Sequence, residues 1–444
     1  MSGSSDRQLS RGKLIVFSVI TTLVVLASAN AVIEWLGRQG AVDLHRPDDR
    51  VQFVEEALIE ADGDDWATTA YAQESMVPSR FPQAKGDGWR GFLLGGSFAM
   101  GTPYSHQEDG KETPGGIASF WRAGMQARWP DVSMDVLNMG AGGEDSHRVK
   151  RIVEEVVQYE PDVLVIASCN NEGNASPSAM REYLHTLGGY RLMTKLLAPT
   201  ESLEGRETHT VQQSIVTDLR DQFTGNVETM VLEAEKRGVP LLLATLPANL
   251  RYTGYSMSPF ADGADITQEI TREKPSECVL AGRTLHEEGK HAEAIEALST
   301  CDDVGEALRW IGLAQLASGD AESAKASLKQ SIELLPRNRC RPSFNAVLRE
   351  MASKHEHVTL LDLEAAAERA AEDGIPGYDL FLDFCHMNWR GYALMAEELM
   401  ATLGGAGLLP EGDAASAKTI EELGAQLGMA DVETMGRVQA ARWD

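Results

Sequence analysis

Residues 90–104, RGFLLGGSFAMGTPY, run from a short apolar strand into a glycine turn and leave Ser97 at the bend. Four more stretches share the strand half of that pattern: SMDVLNMG (133–140), DVLVIAS (162–168), VPLLLATLP (239–247) and HVTLLDL (357–363). Helical stretches separate them. GIASFWRAGMQARWP (116–130) ends at Pro130, SHRVKRIVEEVVQYEP (146–161) is stopped by Pro161, and VTDLRDQFTGNVETMVLEAEKRG (216–238) precedes the fourth strand. Short continuous apolar strands alternating with helices indicate a parallel sheet covered on both faces. The fold class is therefore α/β, with three layers, α/β/α.

A glycine-flanked serine is either a nucleophile or a small residue in a tight corner, since Gly95 and Gly96 can take backbone angles closed to other residues. Nucleophilic chemistry needs a base, an orienting acid and oxyanion donors elsewhere in the chain. GYDLFLDFCHMNWRGYALMAEELM (377–400) supplies the first two: Asp383 and His386 stand three apart, just before a helix starting near Asn388. At that spacing the carboxylate can hold the ring tautomer while the other ring nitrogen faces a hydroxyl. VLNMGAGGEDS (136–146) places Gly140, Gly142 and Gly143 after the second strand, and VLVIASCNNEGN (163–174) places Asn170 and Asn171 after the third. Ligands of α/β sheets bind outside the carboxyl ends of the strands, so Ser97, Gly143 and Asn171 can converge there. A backbone N–H at Gly143 and the Asn171 amide suit the oxyanion of acyl transfer; turn geometry and helix capping are the structural alternatives. Asn249 and Arg251, in ATLPANLRYTGY after the fourth strand, reach the same cleft and serve either substrate binding or loop packing. His106 and His147 have no acid at triad spacing and read as surface residues.

The chain has 444 residues, room for one large domain or two ordinary ones. With 40 Lys and Arg against 67 Asp and Glu, the formal charge of −27 opposes nucleic acid and anionic membrane surfaces as partners. No P-loop, H-E-x-x-H or C-x-x-C motif is present, so no cofactor and no metal site is expected. At the N-terminus, Arg7, Arg11 and Lys13 precede LIVFSVITTLVVLASANAVIEWL, Leu14 to Leu36, whose only charge is Glu34. Roughly 20 apolar residues cross a bilayer as a helix, and basic residues ahead of them stay in the cytoplasm. The reading is a cytoplasmic stretch (1–13), a signal anchor (14–36) in the inner membrane, and a body on the periplasmic or extracellular side. A cleaved signal peptide, cut at ASA or ANA, and a buried helix are the alternatives. Residues 37–89, polar and acidic, read as a juxtamembrane linker with some local order.

Residues 275–338 break the strand–helix rhythm with two helical hairpins. Gly282, Gly289 and Ala294 recur thirty residues on as Gly312, Gly319 and Ala324, which marks an internal repeat. The pair resembles two tetratricopeptide repeats, a module that binds peptides or proteins; a packed helical insertion is the plainer alternative. Cys278 and Cys301 fall at one end of the first hairpin, where a disulfide would join them. Five cysteines leave at least one thiol free.

Taken together, four blocks resemble the SGNH/GDSL hydrolase family: GGSFAMG, NMGAGG, CNNE and DFCH. The resemblance implies an SGNH, flavodoxin-like domain in two parts, 90–270 and 340–402, followed by a helical tail, 403–444. It also implies Ser97 as nucleophile, His386 as base, Asp383 as its orienter, and oxyanion donors at the Ser97 and Gly143 backbone N–H groups and the Asn171 side chain. The expected substrate is an acyl ester, on a glycan or a lipid. An O-acyltransferase with a glycan hydroxyl as acceptor uses the same residues, and a retired scaffold recruiting a protein partner through the helical repeats is the third reading. Three departures stand out. Gly96 occupies the family's Asp position, Cys169 replaces a glycine and narrows the pocket, and Cys385 beside His386 offers a reactive-thiol alternative. The α/β-hydrolase elbow fits less well, because Ala99 stands where its last glycine belongs.

Overall fold

The computed structural model describes residues 11–39, 41–42, 57–105, 107–108, 111–112, 114–173, 184, 187–197, 213–257, 266–269, 276–335, 339–410 and 415–429. The first ten residues, most of 37–56, His106 and the tail beyond residue 429, each given a reading above, lie outside the described residues. In chain order the first elements are α1 (Arg11–Arg38), β1 (Ile59–Asp62), β2 (Asp65–Thr68), β3 (Arg80–Pro82), β4 (Trp89–Gly95), α2 (Ser97–Met100) and α3 (Gly116–Arg128). Next come β5 (Met134–Gly140), α4 (Ser146–Val156), β6 (Val163–Ala167), α5 (Gly188–Leu197), α6 (Gln213–Arg237) and β7 (Leu241–Thr245). The chain continues with α7 (Glu277–Glu287), α8 (His291–Leu298), α9 (Val304–Ala317) and α10 (Ala321–Leu334). It closes with α11 (Pro342–Lys354), β8 (Val358–Asp362), α12 (Leu363–Ala370), α13 (Trp389–Gly405) and α14 (Ile420–Gln426).

Two compact units form: one from 1–55 and 177–203, the other from the rest of the chain. In the smaller unit α1 carries an apolar span, Phe17–Gly37, with mean hydropathy 1.8, long enough to cross a membrane; a signal sequence has the same character. Glu34, its one acid, is not idle: it accepts the Gly188 N–H at the start of α5, and Asn30 accepts that of Gly189 at 2.8 Å. The first turn of a helix leaves N–H groups unpaired, and these two side chains satisfy them.

The larger unit is built on a five-stranded sheet in the order β8-β7-β6-β4-β5, every pair parallel. The sequence predicts all five strands. Their residues are buried almost without a break in β4, β6 and β7, as strands covered on both faces require. Right-handed crossovers then decide the layers: the chain steps one way from β4 to β5 and the other way from β5 through β8. Accordingly α3 packs with α13, while α4 packs with α6 and α6 with α11, on opposite faces. The order reverses at β4, beside β6, which makes that crevice the topological switch point.

Residues 57–88 correct the linker reading. β1, β2 and β3 form an antiparallel sheet, and Leu58, Ile59, Met76, Val77 and Phe81 are buried. Glu155 of α4 accepts the N–H groups of Leu58 and Ile59, and Phe81 packs edge-on against Phe92 of β4. Arg90, buried at 1% exposure, joins the pieces by donating to Pro82 O, Tyr159 O and the Asp135 carboxylate. The acidic residues that suggested a solvated linker include Asp62, Asp64 and Asp65 at the tip of the β1–β2 hairpin and Asp87 in the turn before β4.

Between β7 and β8, α7 pairs with α8 and α9 with α10, as two helical hairpins. The repeat read from the sequence has a packing counterpart. A Cβ on Gly282 would stand 2.3 Å from Leu298 Cγ, and one on Gly312 would stand 2.6 Å from Leu328 Cγ. Cys278 and Cys301 are bonded, with Cα atoms 5.7 Å apart. Lys329 bridges to Glu364 and Glu368 of α12, which clamps the second hairpin onto the sheet domain.

Candidate active site

Ser97 opens α2 at the carboxyl end of β4, and the turn before it is possible only with glycine at 95. A Cβ there would come within 2.0 Å of the Ala167 carbonyl oxygen of neighbouring β6. The segment after Ser97 is then fastened to α13. Trp389 N–H donates to Tyr104 Oη at 3.1 Å, Tyr392 Oη donates to Thr102 O at 2.7 Å, and the Phe98 and Tyr392 rings lie 5.6 Å apart. These contacts bring the start of α13, and the His386 loop before it, over the end of β4.

Within that loop the D-F-C-H spacing has a local cause. Asp383 Oδ1 accepts the backbone N–H groups of Cys385 (2.8 Å) and His386 (2.7 Å), which folds the four residues into one turn. Its other oxygen lies 2.7 Å from His386 Nδ1. An ionised carboxylate only accepts, so Nδ1 carries the hydrogen and the neutral ring presents Nε2 as an acceptor. Ser97 Oγ stands 2.8 Å from Nε2, across 289 residues of chain. Burial alone would raise the Asp383 acid, but the His386 charge and the hydrogen bonds outweigh it and hold the carboxylate below its usual range. For His386 burial works against the charged ring, yet the Asp383 charge wins and lifts the imidazole well above its ordinary value.

The other predicted site residues gather at the same strand ends. Gly143 takes φ +75° in the turn after β5, a left-handed angle that favours glycine. Asn171, 4% exposed, donates one amide hydrogen to Glu144 O at 2.9 Å and keeps the second. Gly96 adopts ordinary extended angles, φ −83° and ψ −154°, so its backbone does not demand glycine. The neighbours do: a Cβ would lie 2.7 Å from Asn171 Nδ2 and 3.0 Å from Glu144 O. The Asn171 amide thus takes the space beside residue 96.

Two readings change, those of Cys169 and Cys385. Cys169 does not narrow a pocket as a free side chain; it is bonded to Cys340, 171 residues away, with Cα atoms 4.8 Å apart. Asn170 Oδ1 reinforces the staple by accepting Cys340 N–H at 2.8 Å. Asn249 and Arg251 both give side-chain donors to backbone carbonyls of neighbouring loops, as the loop-packing alternative expects. Asn249 Nδ2 donates to Asp383 O at 2.9 Å, and Arg251 donates to Ile375 O and Glu372 O. Cys385 is a buried free thiol 3.8 Å from His386 Nδ1, and burial pushes its pKa up, so it stays protonated and poorly nucleophilic. His147 is half-buried in the first turn of α4, where its N–H is capped by Asp145.

Sequence reasoning missed the role of Glu172. Its carboxyl accepts both the N–H and the hydroxyl of Ser146 at 2.8 Å, which ties the Asn171 turn to the start of α4. Burial, with nearby Asp145, pushes it from 4.5 up to about 8. An acid whose folded value is raised adds stability that is complete below its unfolded value and lost as pH rises through the folded one. The denaturation midpoint of the wild-type chain therefore falls between about pH 5 and about pH 9. That of Glu172→Gln, which has no proton to lose there, falls less. Guanidinium titrations at several pH values check the difference.

No protein-family model matches the chain, and no curated protein matches its sequence. Among solved structures it is similar to Axe2, an acetylxylan esterase from Geobacillus stearothermophilus, at 13% identity and TM-score 0.35, over 72% of this chain and 95% of that one. It is also similar to a GDSL-like lipase from Bacteroides thetaiotaomicron, at 10% identity and TM-score 0.30, over 71% of this chain and 88% of that one.

Proposed function

We propose that the chain is a serine hydrolase of acyl esters, of SGNH type, held at a membrane by α1 with its larger unit on the extracytoplasmic side. The observation that carries this reading is the hydrogen-bonded series Asp383–His386–Ser97, at 2.7 and 2.8 Å. Ser97 Oγ attacks the acyl carbonyl while His386 Nε2 takes its proton. The tetrahedral oxyanion is held by the N–H groups of Ser97 and Gly143 and by the spare hydrogen of Asn171 Nδ2. Ser97 suits this role because N–H groups in the first turn of a helix have no intrahelical partner. His386 returns the proton to the leaving alcohol, and water then repeats the sequence in reverse to free the acid. The substrate in this reading is an ester on a glycan or lipid, and the paired helical hairpins offer a surface for a protein partner. The basic residues ahead of the apolar span and the two disulfides support the extracytoplasmic placement.

The test is turnover of a short-chain aryl ester by the full chain in mild detergent, with a fluorophosphonate label mapped by mass spectrometry. Turnover with the adduct on Ser97 upholds the reading; no turnover and no adduct sinks it. The pH profile adds a second check. A protonated imidazole cannot accept the Ser97 proton, so kcat/KM climbs as pH rises through the His386 value. Because Asp383 lifts that value, the midpoint lies above the ordinary histidine value of about 6.5. Asp383→Asn moves the midpoint down and lowers kcat by about 10⁴-fold.

A further inference from the structure

Glu235, His355 and His357 stand at the end of the sheet opposite Ser97. Glu235 lies in the last turn of α6, His355 caps the end of α11, and His357 leads into the edge strand β8. One ligand atom from each lies within 4.8 Å of the other two. The H-E-H turn is held at both ends, by Val358 N–H to His355 O at 3.0 Å and by Leu241 N–H to His357 O at 3.3 Å. The two rings are therefore presented by backbone that is already in place.

The orientation of His357 is the telling feature. Its Nε2 lies 3.2 Å from Val231 O. A carbonyl only accepts, so Nε2 carries the hydrogen and, in the neutral ring, Nδ1 turns a lone pair toward Glu235 Oε1, 3.9 Å away. Two acceptors thus face one another across a gap too wide for a hydrogen bond. Imidazoles that hold metals commonly have this arrangement, with the far N–H given to a backbone carbonyl and the near nitrogen aimed at the ion. Ligands each about 2.0–2.1 Å from a tetrahedral ion stand about 3.4 Å apart, so a small rotation of the Glu235 side chain closes the distance. That side chain is 55% exposed and has room to move.

We propose that Glu235, His355 and His357 form a site for a divalent transition-metal ion that ties the end of α6 to the start of β8. Two imidazoles and one carboxylate select ions of the zinc and copper kind over magnesium or calcium, which prefer all-oxygen shells. Water completes the coordination. An ion here fastens an edge strand at the point where its pairing begins, at the far end of the sheet from the hydrolytic residues.

Titration of zinc chloride into the metal-stripped full chain, followed by calorimetry, tests the proposal. One equivalent binds with a micromolar or tighter dissociation constant, and added zinc raises the melting temperature. His355→Gln and His357→Gln lose that equivalent, while Glu235→Gln, an exposed change that leaves folding intact, weakens it about tenfold or more. Ester turnover of the wild-type chain is unchanged by one equivalent of zinc. The trio Asp383, Cys385 and His386 also brings three ligand atoms together. Uptake that persists in the His355→Gln/His357→Gln double variant and quenches turnover assigns the ion to that trio and overturns the proposal. No uptake at micromolar zinc overturns it equally.

Discussion

Ser97→Ala lowers kcat for ester hydrolysis by about 10⁴- to 10⁶-fold, to the residual rate that binding and oxyanion donors alone sustain. The size of the loss follows from the geometry. The hydroxyl is already within 2.8 Å of His386, and His386 is held by Asp383 at 2.7 Å, so among the described residues Ser97 is the group placed for the attack. Cys385, the nearest alternative nucleophile, is buried and protonated. Removal of one hydroxyl leaves the turn itself intact, because Gly95 and the contacts of Tyr104 and Tyr392 set its path. The variant should therefore match the wild type in its denaturation midpoint while losing turnover. Stopped-time assays beside a guanidinium titration check both halves. Turnover within tenfold of wild type would show that Ser97 is a corner residue after all.

The second large effect concerns Cys169→Ala/Cys340→Ala. A cross-link restricts the unfolded chain more as the loop it closes lengthens. The 171-residue separation corresponds to about 5 kcal/mol of stability, against about 3 kcal/mol for the 23-residue separation of Cys278 and Cys301. The double alanine variant thus loses more stability than Cys278→Ala/Cys301→Ala, and dithiothreitol moves the wild type at least as far as the larger of the two. Function follows stability here. Cys169 lies two residues before Asn171, and Asn170 holds Cys340 N–H, so freeing the staple loosens the side chain proposed as an oxyanion donor and should lower kcat. Denaturation midpoints and kcat on the two double variants give the comparison. An equal or smaller shift for the Cys169 pair would mean that the unfolded chain is not restricted by its larger loop.

What the sequence shows and what it hides divide along a physical line. β4 to β8 are legible because each is a short apolar run bounded by turn residues, a signal confined to a few positions. Asp383 and His386 are legible for the same reason: one carboxylate folds its own turn and reaches the ring three residues on. The thirty-residue echo of Gly282 in Gly312 survives because both face a leucine in the same packing. Pairings across long stretches leave no such trace. Nothing near Cys169 names Cys340, and nothing near His357 names Glu235. Residues 57–88 mislead because their apolar positions are few and separated by acidic turns, although Arg90 and Glu155 hold them from a distance. Asn249 and Arg251 sit in a cleft-side loop, and the carbonyls of residues 372–383 take donors from both, a pairing that their own stretch of sequence does not name.

The close fit at Gly96 has a consequence for how such a chain can drift. The atom missing from residue 96 is the room in which the Asn171 amide rests. Any side chain at 96 meets the present placement of Asn171, so a substitution there obliges the Asn171 amide to shift. Gly96 is one half of a two-position fit whose other half is the Asn171 amide.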